Sequence, residues 1–428
     1  MGIRTDTISD GHAPRGAGFY QWELLILLWF AFFLHQGDRQ IFNNLAPLIM
    51  GDLDLTKVQF GLVGTIFTVV YGVMVPLAGY AGDALRRKWV VLGSLLVFST
   101  ATLLTGLCTG LVSLIIFRSV ATGGGEAFYY PAANSLIGQF HHRTRAMAMA
   151  IHQTALYIGI VASSFAATVG RWYGWRSAFY VFGSCGIAMA GVILWRMQDT
   201  PRAGGSTGSA DDRGPSVVEV LRYVFSKPTV LWLGLAFAGQ VFVNVGYLSW
   251  MPTFLYERYD GLELDVASFL ALACHHAGAF VGVTAGGWLS DRLARRRRTA
   301  RLQFEYLGLL LGAPFIWWMG QANSALLCCV ALAAFGLCRG VYDSNLFAAP
   351  FDVIAPRYRS SAVGVMLCCA FVMGAAAPTI LASIAQQLDM ATAISGMAAV
   401  YVVAGLFVLI ARYTTFRRDY YEEPQGQP

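Results

Sequence analysis

Twelve windows of mostly apolar residues run through this 428-residue chain. Each is about 20 residues long, the length an α-helix needs to cross a bilayer. No other feature restricts the fold so strongly. In hydrocarbon, every backbone N–H and C=O must be paired internally, which leaves only the helix and the closed barrel as spanning structures. The windows cover about 21–46, 58–80, 89–108, 111–137, 146–169 and 176–197, then 229–254, 266–290, 302–320, 324–349, 360–386 and 390–413. Hydrophobic residues make up 56% of the chain and charged residues only 13%, where a soluble domain carries about a quarter charged residues. This shortage of charge excludes a soluble multidomain enzyme, a disordered scaffold and a secreted disulfide protein. The chain reads as an all-α integral membrane protein.

The windows fall into two sets of six, separated by the polar stretch Asp199 to Ser216, whose Gly, Ser and Pro content is that of a flexible linker. Ser216-Val217-Val218-Glu219 then has capping-box spacing and opens a short amphipathic run to Phe225, expected to lie on the membrane surface. The organisation expected is a tail over 1–20, a six-helix bundle over 21–198, a linker over 199–227, a second bundle over 228–413 and a tail over 414–428. The first tail has neither an apolar core nor a small-residue cleavage site, so no signal peptide is expected. With both termini in the cytoplasm, 23 of 30 Lys and Arg residues fall in inner segments and four in outer ones, the bias that sets topology. The short loops suit a bacterial inner membrane, with lipid around the chain and no nucleic-acid partner. The eight cysteines all lie in apolar stretches without metal-ligand spacing, and packing explains them. The run Arg295 to Arg298 belongs to an inner loop.

The two sets repeat each other. "GYAGDALRRK" from Gly79 follows the second window and "GGWLSDRLARRRR" from Gly286 follows the eighth. Each has Gly four residues before Asp, at Asp83 and Asp291, and a basic run after it. Arg118 in the fourth window and Arg339 in the tenth extend the correspondence. Duplicated halves are a feature of secondary transporters, which hold substrate between the halves near the bilayer midplane. The first loop resembles the G-x-x-x-D-[RK]-x-G-[RK]-[RK] motif of the major facilitator superfamily, matching at Asp83, Arg87 and Lys88 and departing at Ala84 and Arg86. That resemblance implies twelve transmembrane helices in two pseudo-symmetric six-helix bundles.

"GDRQIFNNLAPLI" from Gly37, with "FRSVATGGGEAFYYPAANSLI" from Phe117, resembles the anion:cation symporter branch, which moves sugar acids such as galactonate and hexuronates. The same elements resemble the Spinster branch, linked to lipids. The first likeness implies proton-coupled symport of a small organic anion by a monomer working through alternating access. The alternative is a carrier of lysolipid or another amphipathic lipid. No nucleotide-binding motif is present, so a gradient would drive uphill movement and no cofactor is expected. No nucleophile–base pair or metal constellation stands out, so no enzymatic activity is expected.

Three bases and three acids sit well inside the windows: Asp38, Arg39, Arg118, Glu126, Arg339 and Asp343. Each costs about 2.5–3.5 kcal/mol at a helix centre on insertion scales. They persist as packing ion pairs or as the lining of a wet cavity. Arg39 is the expected substrate contact, since a guanidinium offers a planar fork to a carboxylate. Asp38 points about 100° away from it around the helix. The coupling proton is assigned to Glu126 or Asp38, because a carboxyl sunk in an apolar site takes up a proton more readily than one in water.

The family pairs Glu126 with an Arg seven residues earlier. Here Arg118 is eight earlier, about 80° rather than 20° around a regular helix. A π-bulge within Thr122-Gly123-Gly124-Gly125 would absorb the extra residue. Arg339 and Asp343 share a helix face, as an internal gating pair or as ligand contacts. Asp83, Arg87 and Asp291 are read as gating residues. Tyr71 resembles the second-span tyrosine of sugar-acid carriers, and Asn345 falls about where the family places a polar contact. Cys368 stands where those carriers tend to offer Asn. Tyr129, Tyr130 and Asn134 are further substrate candidates, with Gln153, Asn244 and Tyr247 weaker ones. His35, His152, His275 and His276 read as interior or pore-edge histidines.

Overall fold

The structure, a computed structural model, describes residues 17–141, 144–198 and 217–421, apart from the side chains of residues 17, 18, 82–84, 146, 217, 218 and 360. Among the described residues it consists of helices and their connections. Twelve are long: α1 (Ala17–Asn44), α2 (Lys57–Ala81), α3 (Arg87–Thr105), α4 (Leu111–Phe140), α5 (Met147–Tyr173), α6 (Trp175–Arg196), α7 (Pro228–Arg258), α8 (Leu264–Ala294), α9 (Ala300–Gln321), α10 (Ala325–Phe351), α11 (Ser361–Gln387) and α12 (Met390–Asp419). Ten are long and apolar enough to cross a membrane on length and composition alone. The remaining two, α1 and α9, owe their lower apolarity to buried polar groups, the run His35 to Gln40 in α1 and Glu305 in α9.

Five of these helices are broken partway along, α12 near its end by the π-helical segment Ala411–Thr415. A π-helical segment, Ile115–Ala121, interrupts α4. Turns interrupt α5 at Ser163-Ser164, α10 from Ser344 to Phe347 and α11 at Ala375-Ala376. Irregular backbone at membrane depth survives only where protein buries it or where it lines a cavity, and Ser163, Ser164 and Ala375 at these breaks are buried.

Helices α1–α6 form one half and α7–α12 the other. Small residues set the closest packing. In the second half, a Cβ on Gly336 would lie 2.0 Å from the His275 carbonyl oxygen, and one on Gly282 would lie 2.1 Å from that of Leu337. Only glycine allows α8 and α10 to approach this closely, and it brings Arg339 beside His275. Between the halves, α2 packs on α11, where a Cβ on Gly61 would meet the Pro378 carbonyl oxygen at 2.6 Å.

With twelve long helices, α1 begins and α12 ends on the same side of the molecule, here called the termini side. On the far side, ion pairs join the halves: Lys57 Nζ to Glu257 Oε2 at 2.6 Å, and Arg171 Nη1 to Glu263 Oε2 at 2.8 Å and Asp265 Oδ1 at 3.6 Å. On the termini side, Arg301 pairs with Asp352 and Arg196 with Glu23, each at 2.6 Å and each within one half. The linker expected over 199–227 lies outside the described residues as far as Ser216. Beyond it, Val217–Phe225 is helical as expected. Its Val220 and Val224 are buried, and the Tyr223 hydroxyl accepts from the Ala355 N–H at 3.0 Å, so this helix docks on the second half.

Candidate functional site

A cavity of about 710 Å³ lies between the halves. It runs from the level of Val63 and Ser249 toward the termini side, as far as Val75, Ala150 and Thr284. Its charged wall in the first half is built around Arg39. The Arg39 Nε donates to Glu126 Oε2 at 2.9 Å, while Nη2 has no partner. The guanidinium lies over the Tyr71 ring at 4.2 Å, a cation–π contact that holds its plane. Glu126 is fully buried and Arg39 lines the cavity, so the arginine stands between the acid and the cavity.

Two neighbours support this pair. Arg118 donates through Nη2 to the Arg39 carbonyl oxygen at 2.7 Å and lies over Phe67 at 4.9 Å, with Nη1 unpartnered. His35 lies 3.0 Å from the Glu126 carbonyl oxygen through Nε2, and its Nδ1 lies 3.1 Å from Gln36 Nε2. A carbonyl only accepts, so Nε2 carries the hydrogen and the ring is neutral. Asp38 turns away from the cavity, as its place on α1 requires. It accepts from Thr102 Oγ1 of α3 at 2.9 Å.

The facing wall belongs to the second half. Arg339 Nε lies 3.2 Å from Asp343 Oδ2. Arg339 Nη1 donates to His275 Nε2 at 3.0 Å, and Gln240 Nε2 donates to Asp343 Oδ1 at 3.3 Å. Asn244, one turn after Gln240 on α7, also lines the cavity, with its Oδ1 buried and unpartnered.

Of the residues singled out in the sequence, Arg39, Tyr71, Arg118, Tyr130, Arg339 and Asp343 line this cavity, as do Gln153 and Asn244. Tyr130 reaches Gln153 Oε1 at 3.4 Å. The π-helical segment occurs at Ile115–Ala121, one turn before the glycines where it was expected. It does not restore a direct Arg118–Glu126 pair. Glu126 pairs across helices with Arg39 instead, because Arg118 is drawn to the Arg39 backbone.

Tyr129 is not a cavity residue. It is fully buried, its hydroxyl donates to the Leu28 carbonyl, and its ring stacks on Phe32 within the first half. Asn134 also stands off the cavity lining, one turn further along α4. Asn345 is 1% exposed and donates to Ser344 Oγ at 2.9 Å, since the turn after Asp343 swings it away from the cavity. At the helix ends, Arg87 donates to Gln139 within the first half at 3.0 Å, and Asp291 lies 3.6 Å from Arg301 within the second. The Asp83 side chain is outside the described residues.

Thr102 and Gln240 were missed as partners of the buried acids, and Gln36 as the partner of His35. Single hydroxyls and amides on long apolar helices give no signal until the neighbouring helix is placed. The run His35 to Gln40 was the available cue, since such a density of polar groups in one span needs partners.

The family model "Major Facilitator Superfamily" matches residues 28–378. The chain belongs to this superfamily. The chain is similar to "Membrane sensor protein UhpC" of Salmonella typhimurium, 27% identical over 74% of this chain and 75% of that protein. It is also similar to "Probable sulfoacetate transporter SauU" of Cupriavidus necator, 27% identical over 90% of this chain and 93% of that one. In fold it resembles the crystal structure of a bacterial homolog to the human lysosomal transporter Spinster, in an inward-facing and unoccupied conformation. The TM-score is 0.83 at 20% identity, covering 97% of this chain and 100% of that one. The major facilitator fold, with its two pseudo-symmetric six-helix halves, accounts for the central cavity. In this member of the superfamily the charged walls of the two halves face each other across it.

Proposed function

We propose that the protein carries a small organic anion across the membrane together with a proton, by alternating access. The observation that carries this reading is the Arg39–Glu126 pair, with Nε of the arginine held by the internal acid while Arg39 itself lines the cavity. One guanidinium thereby has two candidate anions, the acid behind it and a substrate carboxylate in front. A proton on Glu126, at the unpartnered Oε1, removes the internal competitor. Arg39 then gives both of its outer nitrogens to the substrate, forming the bidentate pair that carboxylates favour. When the proton leaves, the ionised acid reclaims the arginine and the anion is released. Asp38 is the second proton candidate, at one remove from the cavity through Thr102.

The far side is pinned by ion pairs between the halves, and the cavity reaches toward the termini side. With termini in the cytoplasm, this is the inward-facing stage of the cycle. The relative whose printed name is a sulfoacetate transporter supports an anionic cargo. The test is uptake of a labelled sugar acid into proteoliposomes with and without an inward proton gradient. Wild type accelerates with the gradient, and Glu126→Gln transports without responding to it. Gradient-independent uptake by the wild type would overturn the coupling.

A second reading is an amphipathic anion with an apolar tail. It rests on a groove of about 940 Å³ between α5 and α8, lined by Val161, Phe165, Val266 and Phe269. Its wall shares Thr154, Tyr157, His276 and Phe280 with the central cavity. Competition by lysolipid but not by gluconate favours this reading over the first.

A further inference from the structure

We infer that Cys274 of α8 and Cys329 of α10 are a site of disulfide formation, a reversible staple inside the second half. No cargo takes part, so the inference stands apart from the anion reading.

The register of the two helices places the pair. Helices α8 and α10 run parallel along a ladder of small residues, with a rung every four residues. A Cβ on Gly278 would lie 2.0 Å from the Ala333 carbonyl oxygen, and one on Gly282 would lie 2.1 Å from that of Leu337. One on Gly286 would lie 2.9 Å from the Val341 Cα. The partner in every rung stands the same number of positions further along the chain. Four residues before Gly278 and Ala333, that spacing joins Cys274 to Cys329. The thiols meet there, within hydrogen-bond reach of each other. A disulfide needs Cα atoms about 4.4–6.8 Å apart. Helices in backbone contact one turn away meet that requirement with little movement.

The neighbouring thiol is held differently. Cys328 is buried, and its Sγ lies 3.4 Å from the Met319 carbonyl oxygen of α9. Cys274 and Cys329 are both partly exposed and have each other as neighbours. Packing explains any one of the three as a small apolar side chain. It does not call for two thiols, rather than two alanines, on one rung. Cys329 also lies just over one turn into α10, toward the far side. With termini in the cytoplasm, that side is away from the reductants that keep cytosolic thiols free. His275, the next residue along α8, accepts from Arg339. A staple here therefore fixes the helix that supports the second wall of the cavity.

A peroxide supplies the oxidation. One sulfur attacks a peroxide oxygen, the O–O bond breaks, and water leaves with the thiol proton, giving a sulfenic acid. The second sulfur then attacks the first, the S–O bond breaks, and a second water leaves with the second thiol proton. Two thiols and one peroxide give one disulfide and two waters.

The test treats the purified full-length protein in lipid nanodiscs with hydrogen peroxide, denatures it and blocks the remaining thiols with a maleimide. Digestion without reductant, followed by mass spectrometry, is expected to recover Cys274 joined to Cys329, and a reductant to separate them. Cys274→Ser and Cys329→Ser are each expected to abolish the link, whereas Cys328→Ser keeps it. The staple closes a loop from α8 to α10 and stabilises mainly by restricting the unfolded chain. The oxidised wild type is therefore expected to unfold about 3 °C above the reduced protein. Peroxide is expected to leave the midpoint of Cys329→Ser unchanged. Full alkylation of both cysteines after peroxide would overturn the inference, as would Cys274 joined to Cys328 instead. So would an equal rise in midpoint in Cys329→Ser.

Discussion

The two walls of the cavity use the same chemistry in different geometry. Each has an arginine–carboxylate pair with a neutral histidine and a glutamine beside it, and the first half adds Arg118. In the first half the ion pair bridges two helices, Arg39 on α1 and Glu126 on α4. In the second half it lies along one turn of α10, from Arg339 to Asp343. A bridging pair changes how two helices are tied when it opens, so it suits a switch. A pair within one helix turn is preset by the backbone, and opening it moves nothing but side chains. It suits a fixed platform. On the proposed mechanism the first half holds the switch and the carboxylate contact, and the second half offers a fixed wall.

The largest expected effect comes from breaking the bridging pair. Arg39→Gln leaves Glu126 fully buried with no ion-pair partner except neutral His35 at 3.9 Å. Removing one member of such a pair costs about 3–5 kcal/mol, visible as a lowered thermal unfolding midpoint, and uptake is lost. The double variant Arg39→Gln/Glu126→Gln is expected to regain most of that stability without regaining uptake. A single variant as stable as the wild type would mean the pair is no more buried or strained than its counterpart.

The intrahelical pair gives a smaller response. Arg339→Gln leaves Asp343 with its Gln240 hydrogen bond, at a wall that water reaches. The stability cost is expected to be about 1 kcal/mol, nearer that of a helix-surface pair than that of a buried one. Thermal unfolding beside Arg39→Gln checks this. An equal loss in the two variants would erase the distinction between switch and platform.

The sequence carried the architecture well and the contacts poorly. Twelve apolar windows, the repeated Asp-and-basic loops and the six buried charges each follow from the cost of polar groups in lipid, which is written residue by residue. Pairing is not written that way. The family resemblance suggested Arg118 for Glu126, although eight residues set the two about 80° apart around a regular helix, and the partner is Arg39, 87 residues away on another helix. Tyr129 and Asn345 have the right residue types, yet the rotation of α4 and the turn after Asp343 direct them elsewhere. The helix breaks were only half legible. Glycines marked α4 as a place of irregularity, while the π-helical segment formed one turn earlier, among residues of no special composition.

The third kind of pair in the molecule ties the halves to each other and carries the smallest expected effect. Lys57 with Glu257 and Arg171 with Glu263 are partly exposed, and such pairs contribute about 0–1 kcal/mol each. That is too little to hold the far side shut and enough to bias a near-balanced equilibrium. Lys57→Glu replaces attraction to Glu257 by repulsion, so the state with the far side open gains population. A cysteine placed at Ser249, at the far end of the cavity, reports this through its rate of alkylation by a reagent added from the far side. In a background lacking the exposed Cys185 and Cys369, the rate is expected to rise about threefold in Lys57→Glu. It is expected to return toward the wild-type value in Lys57→Glu/Glu257→Lys. A bridging pair between halves and a bridging pair within a half then differ in kind. Breaking the first shifts the balance of states without unfolding anything, whereas breaking the second destabilises every state that buries Glu126. If the Lys57 variant instead lowered the unfolding midpoint as far as Arg39→Gln does, the far-side pairs would be part of the folded core and not a latch on it.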